Sequence, residues 1–379
     1  MCLPGGLSRR GAWKFLVFAA LILAVAAVAS PFQRKKKNKE DQTQTLQLPK
    51  ELPTAVVGDP HRFTFYVTPL SSKGLLTPQI REALKALSRQ VGGDTVLKIR
   101  AFVAGSGDVR RVRDLVSEVF TDRHQPLPVL SLIRSGGLPM EGAQVVLEAI
   151  ASSKKDVNPN GLAFISAQIA TSENPLDPVA PLVTNSLTAL RQAVKSAGSD
   201  PAGVLRVSCF LSSLENLAAS RKLVAEEYPK ASLNFVQTQR APGEALAGCE
   251  AVARLRSDPG RLKLIAAEGL PPEPGRSEIA LIGAPQVVLT GSQISFGYQE
   301  QDGRLAFDRL RKELEQSGVG PKDVAFAHYY PLSGSIAAQV RKLRTEFFGQ
   351  SPAPAATLLL FEGLPSMDAG FAVDVVAVK

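Results

Sequence analysis

Apolar and polar positions alternate in three long stretches of the chain that resemble one another. Leu130 to Ala151 reads LSLIRSGGLPMEGAQVVLEAIA, Leu233 to Ala253 reads LNFVQTQRAPGEALAGCEAVA, and Ala356 to Ala377 reads ATLLLFEGLPSMDAGFAVDVVA. In each, an apolar run reaches Pro139, Pro242 or Pro365, crosses small and acidic residues, and ends in a short alternating run that carries one carboxylate: Glu148, Glu250 or Asp374. Period-two alternation on both sides of a lone proline predicts two strands joined by an irregular turn, a closing hairpin. The prolines stand roughly a hundred residues apart, so the recurrence is that of whole domains.

The segments upstream repeat as well. Thr77 to Gln90 has an apolar stripe at Ile80, Leu84 and Leu87, with Thr77 as the expected cap, Pro78 in the first turn and Gly92 past the end. Val183, Leu187, Leu190 and Val194 form the matching stripe before Gly198, and Phe307, Leu310 and Leu314 the third before Gly318. Strands follow at VLKIRAFV from Val96, VLRVSCFL from Val204 and VAFAHYYP from Val324. Each precedes a second helical pattern, anchored by Leu115 and Val116, by Leu217 and Val224, and by Val340 and Leu343. With leading strands FTFYV, LAFIS and QVVLTGSQIS, the unit is strand, helix, strand, helix, two strands, an α+β arrangement with helices on one face of a sheet. The expected boundaries are 61–156, 157–258 and 259–379.

The first sixty residues differ. Trp13 to Phe32 is nearly uninterrupted apolar sequence between basic clusters, enough to cross a bilayer as a helix. Residues 1–33 are therefore expected to be a transmembrane anchor or signal segment, with 34–60 a basic and polar linker. Ala27-Val28-Ala29 before Ser30 is also like a signal-peptidase site, so export competes with anchoring. The positive charges from Arg34 to Lys39 resist translocation and favour a retained single-pass anchor with a cytoplasmic body. Most of the formal net charge of +9 resides in these first forty residues, and the remainder is nearly neutral. The basic balance therefore speaks of a membrane and not of nucleic acid. Three cysteines exclude a disulfide framework, while Cys209 and Cys249 either pair or are two buried thiols.

Several chemistries are excluded by pattern. His61, His124 and His328 lie far apart with no ligand-spaced neighbours, so no metal is expected. His328 occupies an alternating strand and reads as a sheet-face residue. Nucleophile-elbow, P-loop and Rossmann glycine signatures are lacking, and no cofactor is expected.

LENLAASRKLVAEEYP at 214–229, with LRVSCFL before it and GCEAVARL after it, resembles the RidA (YjgF) family of imine and enamine deaminases. Ser166-Ala167-Gln168-Ile169 and Gly291-Ser292-Gln293-Ile294 resemble that family's Ser-Gly-Gln strand end, and the segment from Leu270 to Gly275 its N-terminal entry. The resemblance implies three chorismate-mutase-like units in an intramolecular pseudo-trimer, with clefts between neighbouring sheets and no need for a homo-oligomer. It implies a catalytic arginine at the positions here held by Leu130, Leu233 and Ala356, none of which can grip a substrate carboxylate. The retained carboxylates are Glu148, Glu250 and Asp374. A helix position that carries asparagine in relatives is Asp114, Arg221 or Arg341, and Arg276-Ser277 replaces a Tyr-Ser pair. Arg221, Arg341 and Arg276 are then either ordinary solvated or carboxylate-paired surface arginines beside relic clefts, or relocated anion ligands facing Glu250 or Asp374. The expected function is a non-catalytic scaffold or binding module for a protein or small carboxylate. The competing reading is an active deaminase acting on imino acids.

Overall fold

The computed structural model describes residues 49–269, 277–349 and 352–379. In chain order its elements are β1 (Ala55–Gly58), β2 (Phe63–Val67), α1 (Leu76–Val91), β3 (Thr95–Val103), α2 (Arg110–Asp122), β4 (Val129–Arg134) and β5 (Val145–Ser152). Then come β6 (Leu162–Ser172), α3 (Val179–Ser196), β7 (Val204–Leu211), α4 (Leu217–Glu227), β8 (Ser232–Gln237) and β9 (Ala245–Arg254). The last third holds β10 (Leu262–Ile265), β11 (Ile279–Ile282), β12 (Val287–Thr290), β13 (Gln293–Phe296), α5 (Glu300–Gln316), β14 (Val324–Tyr329), α6 (Gly334–Phe348), β15 (Ala355–Leu358) and β16 (Ala369–Val378).

These strands build three sheets with one shared order. The first runs β2-β5-β3-β4, the second contains β6-β9-β7-β8, and the third β12-β16-β14-β15, with β13 also on β16. In each, the pair joined through the second helix is parallel: β3 with β4, β7 with β8, β14 with β15. The other pairings are antiparallel. The two strands around each proline are therefore not a hairpin as expected. A central strand lies between them, because a parallel partner reached through a helix must take the outer edge while the final strand returns antiparallel on the other side. The third leading strand is also split, with Gly291 between β12 and β13. A Cβ on Gly291 would stand 2.9 Å from the Leu130 carbonyl oxygen, so glycine lets the first and third sheets approach there.

Two sheets gain strands from elsewhere in the chain. β1 pairs with β12, Ala55 opposite Thr290, so the start of the described chain extends the third sheet. β10 and β11 extend the second sheet through β6. Among the described residues the corresponding edge of β2 has no added strand. Its outward carbonyls accept instead from side chains: Phe63 from Asn158, Phe65 from Ser232 and Val67 from Gln90. Capping of this kind blunts an edge that would otherwise invite pairing.

Period-two alternation divides each sheet between two surroundings. On the helical face, Ile99, Ala101 and Val103 of β3 pack under Ile80, Leu84, Leu115 and Val116, and equivalent clusters lie under α3 with α4 and α5 with α6. The N-cap of α1 is Leu75, without a side-chain cap bond, so Thr77 lies inside the helix and does not cap it. The other faces of the three sheets meet one another in two apolar clusters that draw on all three.

All described helices are amphipathic sheet-covering elements with a charged outer face, and among the described residues no helix is long and apolar enough to cross a membrane. This corrects the expected single-pass anchor, the membrane as a partner and the location assigned on that ground. Trp13 to Phe32, on which that expectation rested, lies outside the described residues, as do Leu270 to Gly275.

Cys209 and Cys249 stand directly opposite across β7 and β9 and form a buried disulfide. A link closing a loop of this length stabilises by about 2–4 kcal/mol. Chemical denaturation with and without reductant should show that loss, and a Cys209→Ala/Cys249→Ala double variant should match the reduced protein.

Candidate functional site

Between the two shared apolar clusters lies a layer of charge. On β5 the inward residues run Val146, Glu148, Ile150; on β9, Gly248, Glu250, Val252; on β16, Ala372, Asp374, Val376. The three carboxylates thus fall at one level, each flanked by residues of the apolar clusters or by glycine. Arg100, Ser208 and His328 lie opposite them on the central strands of the same sheets. All three carboxylates are at most 2% exposed. A buried charge is tolerated only when paired and hydrogen-bonded, and the sheets supply the partners for one another.

Arg100 donates from Nε to Glu148 at 2.8 Å and from Nη2 to Glu250 of the second sheet at 2.6 Å. Its guanidinium also lies over Phe102 and Phe210, 5.2 and 5.6 Å from the ring centroids. Arg206 approaches both glutamates at 3.6 Å. Ser208 and Asn234 donate to Glu148 at 2.6 and 2.7 Å. Asp374 of the third sheet is met by Lys98 and Ser131 from the first and by Tyr330 from its own. His328 completes the layer, with Nε2 at 3.2 Å from Glu250 and Nδ1 at 3.4 Å from Asp374. Every carboxylate is therefore held by at least one donor from a different sheet.

The electrostatics follow from this geometry. Burial opposes ionisation of Glu148, but the Arg100 and Arg206 guanidiniums outweigh it and lower its carboxyl. Glu250 is held well below the usual range by Arg100 and His328 against its own burial. Lys98, followed by His328, does the same for Asp374. Burial pushes the Lys98 ammonium down, with Asp374 opposing, while the two glutamates outweigh burial and raise Arg100. The Tyr330 hydroxyl is raised by burial and by the adjacent Asp374 charge.

Two clefts lie at sheet junctions, outside this layer. The first, about 420 Å³, lies where β4 meets β13 and is lined by Leu130, Ser292, Gln293 and Phe296, with Thr54 on one wall and Arg113 at the rim. The second, about 600 Å³, lies where β8 meets β2 and is lined by Thr68, Met140, Arg221, Leu233 and Phe235. Asn234 belongs to both settings, since it lines the second cleft and donates to Glu148. Leu130 and Leu233 thus each wall a cleft. Ala356 is buried at the third junction, where the Ala167 N–H donates to its neighbour Thr357 at 2.9 Å.

The proposed anion ligands are dispersed. Arg221 is exposed at the second cleft with its guanidinium 6.0 Å from the Phe235 centroid. Arg341 is exposed on α6, and Asp114 pairs with Arg111 at 3.7 Å on α2. Arg276 lies outside the described residues. The cations that meet Glu250 and Asp374 are Lys98, Arg100 and Arg206, with His328, none of which the sequence reading had paired with a carboxylate. Their signal was present as polar residues at every second position of otherwise apolar strands, K and R in VLKIRAFV, R and S in VLRVSCFL, H in VAFAHYYP.

No family model and no curated protein matches the chain. Solved structures similar to it belong to the RidA/YjgF family. A Rid-family protein of unknown function from Yersinia pestis is 15% identical, covers 32% of this chain and 100% of its own, and aligns with a TM-score of 0.29. Rv2704 of Mycobacterium tuberculosis, of the YjgF/YER057c/UK114 family, is 20% identical over 31% of this chain and 99% of its own, with a TM-score of 0.24. An Entamoeba histolytica structure described as a candidate endoribonuclease L-PSP is 19% identical over 31% of this chain and 100% of its own, also at 0.24. The chain's own elements make it a mixed α+β protein, and each of these RidA-like neighbours covers about a third of it.

The layer predicts the response to acid. A carboxylate lowered in the folded state stabilises fully above its ordinary range and loses that contribution as pH falls through the unfolded and then the folded value. Stability measured by urea denaturation should therefore be level near neutrality and fall steadily below about pH 5. Asp374→Ala should leave Lys98 buried without its partner and cost about 3–5 kcal/mol at neutral pH.

Proposed function

We propose that residues 61–379 are three RidA-like units, 61–156, 157–258 and 259–379, assembled as an intramolecular pseudo-trimer that acts as a non-catalytic binding module. The shared strand order of the three sheets supports the assembly. The observation that carries the function is the composition of the clefts. The residues lining the first two junctions include arginines, hydroxyls and amides but no carboxylate, histidine, cysteine or lysine. General acid–base work needs a group that can exchange a proton near neutrality, and arginine does not. The three carboxylates that the RidA resemblance would enlist are committed to buried cations. What the clefts offer is an apolar wall with an arginine beside it, suited to holding an apolar carboxylate.

Small apolar carboxylates should therefore raise the melting temperature of the full chain. A ligand at about one hundred times its Kd adds about 2.7 kcal/mol. Ammonia release from freshly generated imine of pyruvate should stay at the uncatalysed rate, and hydrolysis above that rate by the unaltered chain would sink the reading. Leu233→Arg, which places a guanidinium in the second cleft, should tighten carboxylate binding about tenfold.

A further inference from the structure

Glu313 of α5 is 6% exposed and lies behind the wall of the first cleft. One side chain that lines the cleft is bonded to it, Gln293 donating from Nε2 to its Oε2, and Thr54, also in the lining, stands near the same carboxyl. Its Oε1 is buried without a hydrogen-bond partner. A structural carboxylate is ordinarily saturated, as Glu148 is, and one left half-satisfied at this depth is costly. Thr54 in turn belongs to a strap that crosses the cleft's edge. Ser117 donates to the Lys50 carbonyl at 2.6 Å, Leu52 is buried among the side chains of α1 and α2, and the Gly291 N–H donates to the Thr54 carbonyl at 2.7 Å. Glu313 therefore holds Gln293 of β13 and stands beside Thr54 of the strap.

We propose that Glu313 is a positioning residue of the first cleft, which through Gln293 and its own charge sets how tightly the cleft holds an apolar anion. The ligand class follows from the lining: Leu130, Leu132, Ile294 and Phe296 supply the apolar surface and Ser292 a hydroxyl, with Arg110 and Arg113 at the rim. The proposal rests on the reading of this cleft as a ligand site. Burial raises the Glu313 carboxyl, with Thr54 and Gln293 opposing. The other charged groups around the cleft are Arg110, Arg113 and Asp108 near α2, Arg309 on α5, Asp368 beyond Ser366, and Lys50 and Glu51 at the outer end of the strap. Asp108 is held low by Arg110. Arg309 donates to the Ile294 carbonyl and lies 5.7 Å from the Phe296 centroid. With Glu313 neutral no charge behind the wall opposes the rim arginines, and ionisation of Glu313 sets a negative charge there.

The probe is anilinonaphthalene sulfonate, an apolar aromatic anion, titrated by fluorescence into the full chain. Arg113→Glu, an exposed change at the rim, should weaken binding about tenfold. In the unaltered chain affinity should fall about fivefold as pH rises and Glu313 ionises, and Glu313→Gln should bind with an affinity level across the same titration. Indifference to Arg113→Glu would overturn both the ligand-site reading and this proposal. Arg113-dependent binding with the same pH profile in the unaltered chain and in Glu313→Gln would overturn the proposal alone. So would an unaltered chain whose Arg113-dependent binding does not change with pH, a result that needs no folded Glu313 variant.

Discussion

The structure depends on a layer of charge sealed between two layers of apolar side chains at the meeting of three sheets. Hydrophobic contact alone is non-directional, and three similar faces could rest against one another in several rotations and offsets. Arg100 reaching from Glu148 to Glu250, and Lys98 reaching to Asp374, remove that freedom, because any slip strands a charge where water cannot reach it. The layer is not three-fold in its chemistry. Arg100, Ser208 and His328 occupy matching positions, as do Lys98, Arg206 and Phe326, so each sheet fits its two neighbours differently. Such asymmetry suits units that are linked in fixed order within one chain.

The elements themselves were readable because their signals are local. Apolar stripes such as Ile80, Leu84 and Leu87 give a helix wherever they occur, and the alternation in VLRVSCFL gives a strand. Three copies of the pattern reinforced one another. Sheet order was less legible: the runs around Pro139 read as a hairpin, since nothing local says that β3 will lie between them. The carboxylates Glu148, Glu250 and Asp374 stood out by recurrence, but their partners did not. Lys98 and Asp374 lie 276 residues apart, and an ion pair across that distance leaves no spacing to read. Glu313 falls at a position on α5 that looks like one of many charged helix residues. Only the placement of Thr54 and Gln293 around it distinguishes it.

The same arrangement separates stability from binding. The carboxylates are spent on holding the sheets together, while the clefts lie at the sheet edges, where Leu130 and Leu233 present apolar walls. If the clefts are the ligand sites proposed, changes at the rims, at Arg113 or Arg221, alter binding without touching the centre. The strap from Lys50 to Thr54 gives the first cleft a wall that has no counterpart among the residues lining the second, so the two are unequal in size and in access.

The pairing of β1 with β12 has a consequence for the order of events in the cell. β1 is made before any other described strand, yet its partner β12 follows every strand of the other two sheets in the chain. The first sheet can form with β1 idle, and the second closes through β10 and β11 while β1 still waits. Pairing of β1 therefore waits for the last third of the chain and is a long-range closure. A truncated chain that stopped before β12 would carry an exposed β1 with nothing to pair with, a ready mark of incompleteness for the machinery that removes unfinished proteins.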